Sequence, residues 1–239
     1  MKIYFSDVTK GKGVEDIRVV VYCDAALMNA ERKKSQIGVV AMLMSKTEQY
    51  KIPDFEYIDP GLVRSKKQYK AHPFVGASPV AWKSMQSPRT AQSSFSAELQ
   101  AMHLAVDAAC LFRAMISELL YATPLRRLHT EIRNDNLSVI KSVQSLSMGC
   151  TQERRLQTLI CSIQELLSTS EVTKVTFVPT DINVADEMTK AKSGNGMYHL
   201  LSNNMIQVAR REAIFDRKKR AHNQKQYIID TRHYAEGNA

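Results

Sequence analysis

Short apolar runs and longer amphipathic stretches alternate along this chain, and their spacing predicts the order of strands and helices. Apolar and β-branched runs predict β-strands at residues 17–24, 37–44, 80–83, 128–132 and 172–178. Apolar residues at helical spacing predict helices at residues 94–120, 136–146, 153–168, 184–190 and 197–215. Trp82 lies in the third strand and is expected to pack in the core. Three strands before the first helix predict one α/β domain with a mixed sheet.

The chain divides into three predicted parts. Residues 1–16 are polar and read as an N-terminal leader, residues 17–192 form the α/β domain, and residues 193–239 form a C-terminal helix and basic tail. Within the domain, residues 45–77 are polar and contain three prolines. This composition predicts a long inserted loop or an irregular hairpin.

The net charge of +9 is compatible with a polyanionic partner such as nucleic acid. Much of the excess lies in two basic clusters, and their eight members are candidate phosphate-binding residues: Arg64, Lys66, Lys67, Lys70, Arg217, Lys218, Lys219 and Arg220. A solvated surface loop and tail would have the same composition. Charge alone therefore does not identify the partner.

The four cysteines and the hydropathy pattern indicate a location inside the cell. The cysteines are scattered without CxxC spacing, which favours reduced thiols over a disulfide framework or a zinc site. No apolar stretch is long enough to cross a bilayer, and the N-terminus lacks a signal-peptide core. We therefore expect a cytoplasmic or nuclear protein with no membrane partner.

Four isolated acids are the candidate catalytic residues. Asp24 ends an apolar strand, Glu98 lies early in the longest helix, Asp135 follows the fourth strand, and Asp186 is near the start of a late helix. Carboxylates delivered from strand ends and helix starts can converge on one point and hold divalent cations.

Each of these acids also has a structural interpretation. Asp24 can be partly hydrated at its strand end, and Glu98 can be an exposed residue near a helix N-terminus. Asp135 has the position of an N-cap, with asparagines on both sides. Beside Asp186, Glu187 competes as the ligand.

Six segments of the chain, in this order, resemble the ribonuclease H domain of copia-type retrotransposon polyproteins. They are Tyr22–Ala26, Lys34–Gly38, Val80–Ser84, Ser93–Glu98, Arg133–Asn136 and Val178–Lys190. The last segment contains the A-D-x-x-T-K sequence, which is the most distinctive of the six. The resemblance covers about residues 18–192.

This resemblance implies a ribonuclease H-like fold, with a five-stranded mixed sheet flanked by helices on both faces. It implies that Asp24, Glu98, Asp135 and Asp186 bind two Mg²⁺ ions, or Mn²⁺ in their place. The expected reaction is endonucleolytic hydrolysis of the RNA strand of an RNA–DNA hybrid. The expected protein partner is a reverse transcriptase, supplied in cis or in trans.

The chain also departs from the family pattern. An aromatic residue usually follows the first Asp, where this chain has Ala26 and Leu27, and residues 151–157 lack the His and Asp of many relatives. None of the six histidines matches the mobile His that helps protons leave with the product. These departures favour an alternative, a catalytically degenerate nucleic-acid-binding remnant of a retroelement. A third hypothesis, another nuclease or integrase of this fold, would require a different acid pattern.

Overall fold

The computed structural model describes residues 16–28, 34–45, 50–51, 74–122, 128–145, 153–190 and 196–208. Its strands are β1 (Ile17–Ala26), β2 (Gln36–Ser45), β3 (Tyr50–Lys51), β4 (Phe74–Gln86), β5 (His129–Asn134), β6 (Lys174–Phe177) and β7 (Met205–Gln207). Its α-helices are α1 (Ser94–Tyr121), α2 (Leu137–Gln144), α3 (Arg154–Ser168) and α4 (Gly196–Asn203). Two short 3₁₀ helices, Thr180–Ile182 and Val184–Met188, follow β6.

The strands form one mixed sheet in the order β3-β4-β2-β1-β5-β6, and β7 pairs with β4. Strands β1, β2 and β4 are antiparallel neighbours, whereas β5 and β6 continue the sheet parallel to β1. The five predicted strands are all present. The predicted number of five is nevertheless wrong, because the described residues add the short strands β3 and β7 on either side of the first half of β4.

Strand β4 begins six residues earlier than the predicted segment 80–83, inside the region predicted as an insertion. A β-bulge between β2 and β4 accommodates Pro79, which cannot donate to the ladder. Trp82, expected in the core, is 44% exposed. The remaining residues of the predicted insertion, 46–49 and 52–73, lie outside the described part.

Each face of the sheet is covered by helices, as predicted. Helices α1, α2 and α3 cover one face, over a core that includes Val19, Val21, Leu99 and Met102. The 3₁₀ helix Val184–Met188 and α4 cover the other face. Helix α4 and β7, which follow the predicted domain boundary at residue 192, therefore pack on the same sheet.

The last predicted helix, residues 197–215, is wrong in its extent. Helix α4 ends at Asn203, and Asn204 has a φ of 52°, a left-handed conformation that stops a helix. The chain then pairs as β7 with β4. Residues 209–215 lie outside the described part, as do the leader 1–15 and both basic clusters.

Within the described ranges, no helix combines the length and the hydropathy that a membrane crossing requires.

Candidate metal centre

Three of the four predicted acids meet at one edge of the sheet. Asp24 lies near the end of β1 and Asp135 directly after β5, and these strands are parallel neighbours, so their carboxyl ends lie side by side. Glu98 reaches the same point from the second turn of α1. One carboxylate oxygen from each residue lies within 4.8 Å of the other two. We call Asp24, Glu98 and Asp135 the acidic cluster.

Glu98 is held in place by the strands beneath it. The buried Asn134 Nδ2 donates to Glu98 Oε2 at 3.0 Å, and the Ala25 backbone N–H also donates to the Glu98 carboxylate. Small residues on α1 allow this approach, since Ala101 and Ala105 are fully buried against the sheet. Glu98 is therefore a directed side chain and not an exposed helix residue.

Asp135 is not the N-cap of α2. That role belongs to the next residue, Asn136, whose Oδ1 accepts from the backbone N–H groups of Ser138 and Val139 at 3.0 and 3.2 Å. Because Asn136 satisfies these donors, the Asp135 carboxylate can face the cluster, where it accepts a hydrogen bond from Thr180.

Two asparagines fix the backbone next to Asp24. Asn134 Nδ2 and Asn183 Nδ2 both donate to the Cys23 carbonyl, at 3.2 and 3.1 Å. Asn183 is also the N-cap of the 3₁₀ helix Val184–Met188, where its Oδ1 accepts from the Ala185 N–H. One carbonyl thus ties together β1, β5 and the segment that carries Asp186.

The A-D-x-x-T-K segment, residues 185–190, packs against a row of residues from three strands. Asp24, Gly38 and Ser84 are aligned across β1, β2 and β4. Thr189 Oγ1 donates to Asp24 Oδ2, and Ser84 Oγ donates to the Met188 carbonyl. A Cβ on Gly38 would lie only 2.5 Å from the Ala185 carbonyl oxygen and 2.6 Å from Met188 Cβ. Glycine at position 38 is therefore what lets this segment approach closely enough for Thr189 to reach Asp24.

Asp186, the fourth predicted ligand, does not belong to the group of mutually close ligand atoms. Its Oδ1 instead forms an ion pair with Lys190 Nζ, one turn further along. Its charge still acts on the cluster, because it raises the pKa of Asp24 and of Asp135. Glu187, the competing ligand, accepts from the backbone N–H groups of Gly196 and Met197 at the start of α4. Glu187 is therefore a helix cap.

The three cluster acids have raised pKa values, since they form no ion pair among the described residues and the charge of Lys190 only partly offsets their burial at Asp24 and Asp135. Burial, followed by the charges of Asp135 and Asp186, raises the pKa of Asp24 to about 6 despite the hydrogen bond from Thr189. Burial and the charge of Asp24 raise the pKa of Glu98 to about 8. Burial is also the main cause of the raised pKa of Asp135.

Glu131, on the neighbouring strand, shows the opposite behaviour. It is as buried as Asp24 and Glu98, at 2% exposure, but it forms ion pairs with Arg18, Arg133 and Lys174 at 2.8–3.3 Å. These cations hold its pKa far below its usual range in spite of burial. Glu131 is thus a compensated, structural acid, whereas none of the three cluster acids has an ion pair among the described residues.

The cluster fits a hard divalent cation. Its donors are all oxygens, and they come from three rigid elements. Asp24 and Glu98 are 3% and 7% exposed, and such burial of ionised carboxylates is unfavourable unless a cation offsets it. The residues present therefore suit Mg²⁺ or Mn²⁺, with Asp186 at the rim.

Sequence reasoning missed the residues that support the cluster: Asn134, Asn183, Gly38, Ser84, Thr189 and Lys190. All six lie inside the segments that carry the family resemblance. The family resemblance of these segments was therefore a signal that could have identified the residues. Their roles depend on contacts between distant segments, such as the hydrogen bond between residues 24 and 189.

No protein-family profile matches this chain, and no curated protein matches it. Among solved structures, a ribonuclease H1 isolated from compost by a metagenomic approach matches with a TM-score of 0.43 at 17% identity, over 72% of this chain and 91% of that one. The same enzyme in complex with an RNA/DNA hybrid gives 0.42 at 16%, over 72% and 93%. Ribonuclease H1 from the halophilic archaeon Halobacterium salinarum gives 0.42 at 18%, over 72% and 96%.

Proposed function

We propose that this chain is a metal-dependent endonuclease that hydrolyses the RNA strand of RNA–DNA hybrids. The observation that supports it is the contrast between one buried acid, Glu131, and the acidic cluster. Glu131 has three cationic partners, whereas Asp24, Glu98 and Asp135 are gathered within 4.8 Å without an ion pair of their own. A fold that buries uncompensated carboxylates together loses stability unless a cation binds there.

In this proposal Asp24, Glu98 and Asp135 hold the metal, and the ion supplies an activated water and neutralises charge on the phosphate. Asn134 keeps the Glu98 carboxylate directed at the site, and Thr189 does the same for Asp24. The charges of Asp186 and Lys190 act on Asp24 and Asp135, and in this proposal the Lys190 ammonium would attract the substrate phosphate. Arg64, Lys66, Lys67, Lys70 and the tail cluster 217–220 would hold phosphates further along the nucleic acid.

Three parts of the proposal rest on the sequence resemblance: the RNA–DNA hybrid as substrate, the retrotransposon origin and the reverse transcriptase partner. The proposed intracellular location rests on the scattered cysteines and the hydropathy pattern. The hybrid would be recognised by its 2′-hydroxyls and its geometry and not by base sequence. The degenerate, non-catalytic remnant remains the second candidate. The observation in its favour is that Asp186 is paired with Lys190 and is not in the cluster.

Incubation of the full chain with labelled RNA–DNA hybrid, RNA duplex and DNA duplex, each with EDTA, Mg²⁺ or Mn²⁺, tests the proposal. We expect cleavage of the RNA strand of the hybrid alone, only with a divalent ion, and none by Asp24→Asn. Hybrid binding without cleavage under every condition would establish the remnant. Metal-dependent cleavage of the DNA duplex would establish a different nuclease of this fold.

A further inference from the structure

The last three turns of α1 have apolar side chains on their exposed face and polar side chains on their buried face. Three exposed residues follow one another at one-turn intervals, with exposures of 57%, 48% and 77%: Leu111, Met115 and Leu119. On the opposite face Arg113 is largely buried in an ion pair with Glu171, and Ser117 is fully buried. An ordinary surface helix has the reverse arrangement. The exposed face of this part of α1 is therefore a candidate interface.

The apolar positions on this face have a symmetric spacing. Residues 108, 111, 115, 119 and 122, which we call the apolar seam, are separated by three, four, four and three positions. Residues at such intervals lie along one face of a helix. When two copies of α1 pack antiparallel about a twofold axis at Met115, Leu111 of one copy faces Leu119 of the other. Ala108 then faces Ala122, and all five seam positions are uncharged.

We propose that the apolar seam is an interface between two copies of this chain, with their α1 helices packed antiparallel. A second copy is favoured over an unrelated partner because a twofold interface requires a surface that complements itself. The symmetric spacing about Met115 meets this requirement with apolar side chains of similar size on both sides of the axis. The inference does not depend on the proposed nuclease function.

The size of the seam sets the expected strength of the dimer. The exposed parts of its three large side chains amount to on the order of 400 Å², the size of the largest apolar patch on an ordinary monomer. Two copies would bury about 800 Å² from these side chains, and flanking residues would bring the total toward the roughly 1,200 Å² of the smallest specific interfaces. We therefore expect a reversible dimer with a Kd in the micromolar range.

The proposed interface leaves the acidic cluster accessible. Met115 and Glu98 belong to the same helix, and they are about 25 Å apart along its axis at a rise of about 1.5 Å per residue. Hybrid cleavage should therefore be equal in the monomer and in the dimer. The dimer and the nuclease can consequently be tested separately.

Sedimentation velocity of the full chain, from about 1 to about 200 µM, measures the association. Met115→Glu places a charge at the centre of the seam. Leu137→Glu is the matched control, because Leu137 is a similarly exposed residue on α2, at 50%. We expect wild type and the control to dimerise with the same micromolar Kd. Met115→Glu should weaken the dimer at least about 30-fold, because two like charges would meet at the axis. Thermal melts check that each variant is folded.

Cysteine substitutions test the antiparallel arrangement. Helices packed about 8–10 Å apart bring facing Cα atoms within the roughly 7 Å that a disulfide spans. Under mild oxidation Met115→Cys should therefore form covalent dimers, and so should an equal mixture of Leu111→Cys and Leu119→Cys. Leu111→Cys alone should not, because its two copies would be about 12 Å apart along the helix axes. Wild type gives the background from the native cysteines.

A wild type that stays monomeric at about 200 µM, or a dimer that Met115→Glu leaves unchanged, would overturn the inference in favour of another occupant of the seam. Self-crosslinking of Leu111→Cys as readily as of Met115→Cys would also contradict it, because the helices would then pack in parallel. Absence of hybrid cleavage in every variant would overturn the proposed function and leave the dimer intact.

Discussion

The Asp24→Asn variant removes one negative charge from the acidic cluster and keeps the shape of the side chain. Its amide oxygen can still accept the hydrogen bond from Thr189. In the wild type, the pKa of Asp24 is raised from 3.8 to about 6, a difference of roughly two pH units. At about 1.4 kcal/mol per unit, the ionised Asp24 destabilises the metal-free fold by about 3 kcal/mol. Neutralising the residue should recover that free energy.

The sign follows from proton binding. Because the pKa of Asp24 is higher in the folded state, the folded chain binds more protons than the unfolded chain between pH 4 and pH 6. The stability of the wild type therefore falls as the pH rises through this window, and the full loss is present above it. The variant should exceed wild type by about 3 kcal/mol at pH 8 and by only about 1 kcal/mol at pH 4.5. His199, whose pKa is lowered by burial, changes with pH equally in both proteins and cancels in the comparison.

Urea unfolding of both proteins at pH 8 and pH 4.5, with EDTA and with excess Mg²⁺, measures these differences. Mg²⁺ should stabilise wild type according to its affinity and should stabilise the variant less. Glu131→Gln is the matched control, since Glu131 is an equally buried acid whose pKa is lowered by three cations. Its neutralisation should destabilise the fold by about 3 kcal/mol, because it leaves buried cations unpaired.

Destabilisation of Asp24→Asn to the same extent as Glu131→Gln would show that the Asp24 carboxylate does not destabilise the metal-free fold. Asp24→Asn could lose about 3 kcal/mol of unfolding free energy at pH 8 in EDTA, while Mg²⁺ leaves the stability of wild type unchanged. Asp24 would then be a structural residue, and the substitution would break a buried interaction. A gain of equal size at both pH values would also contradict the argument, because the benefit would then not come from the ionised carboxylate.

Three further changes test the surroundings of the cluster. Gly38→Ala should destabilise the fold by roughly 1–3 kcal/mol and reduce cleavage, because the new Cβ lies 2.5 Å from the Ala185 carbonyl oxygen; wild-type unfolding and cleavage would contradict the proposed close approach. Thr189→Val removes the donor to Asp24 and should weaken Mg²⁺ binding by roughly 10- to 100-fold, as calorimetry would show; unchanged affinity would make the bond irrelevant to the ion. Alanine at all four positions of 217–220 should weaken binding to hybrid and to other nucleic acids about equally and flatten the salt dependence; an unchanged slope would assign the tail another role.

The elements with strong periodicity were predictable from the sequence. Helix α1 and strands β1 and β2 have one dominant hydrophobic pattern each, and their predicted bounds agree with the structure within a few residues. Only part of strand β4 was predicted, since Gly76 and Pro79 are residues typical of loops. The β-bulge between β2 and β4 lets the strand pairing continue past Pro79. The predicted helix 197–215 was too long because Asn204, which ends α4 in a left-handed conformation, is a weaker stop signal than glycine.

The candidate site was predictable as a set of acids but not as a network. The end of an apolar strand indicated where Asp24 lies, and the start of the longest helix indicated where Glu98 lies. Whether Asp135 or its neighbour Asn136 caps α2 could not be decided from the sequence, because both residues make good caps. The sequence also could not decide the role of Asp186. An Asp at this position can bind a metal ion, or it can form an ion pair with a lysine four residues later, as it does with Lys190.

The contacts around Cys23 explain how the fold tolerates three uncompensated carboxylates at one edge. Mutual repulsion between Asp24 and its neighbours acts to separate the strand ends, and side chains alone could relax by turning outward. The Cys23 carbonyl prevents this for the backbone, because it accepts from Asn134, which precedes Asp135, and from Asn183, which belongs to the segment of Asp186. The amides are neutral, so they hold the geometry without cancelling the charge that a cation would bind. Neutral donors thus fix the acidic cluster while its negative charge remains, and such a site is preorganised for a metal ion. At Glu131, by contrast, three cations already balance the negative charge.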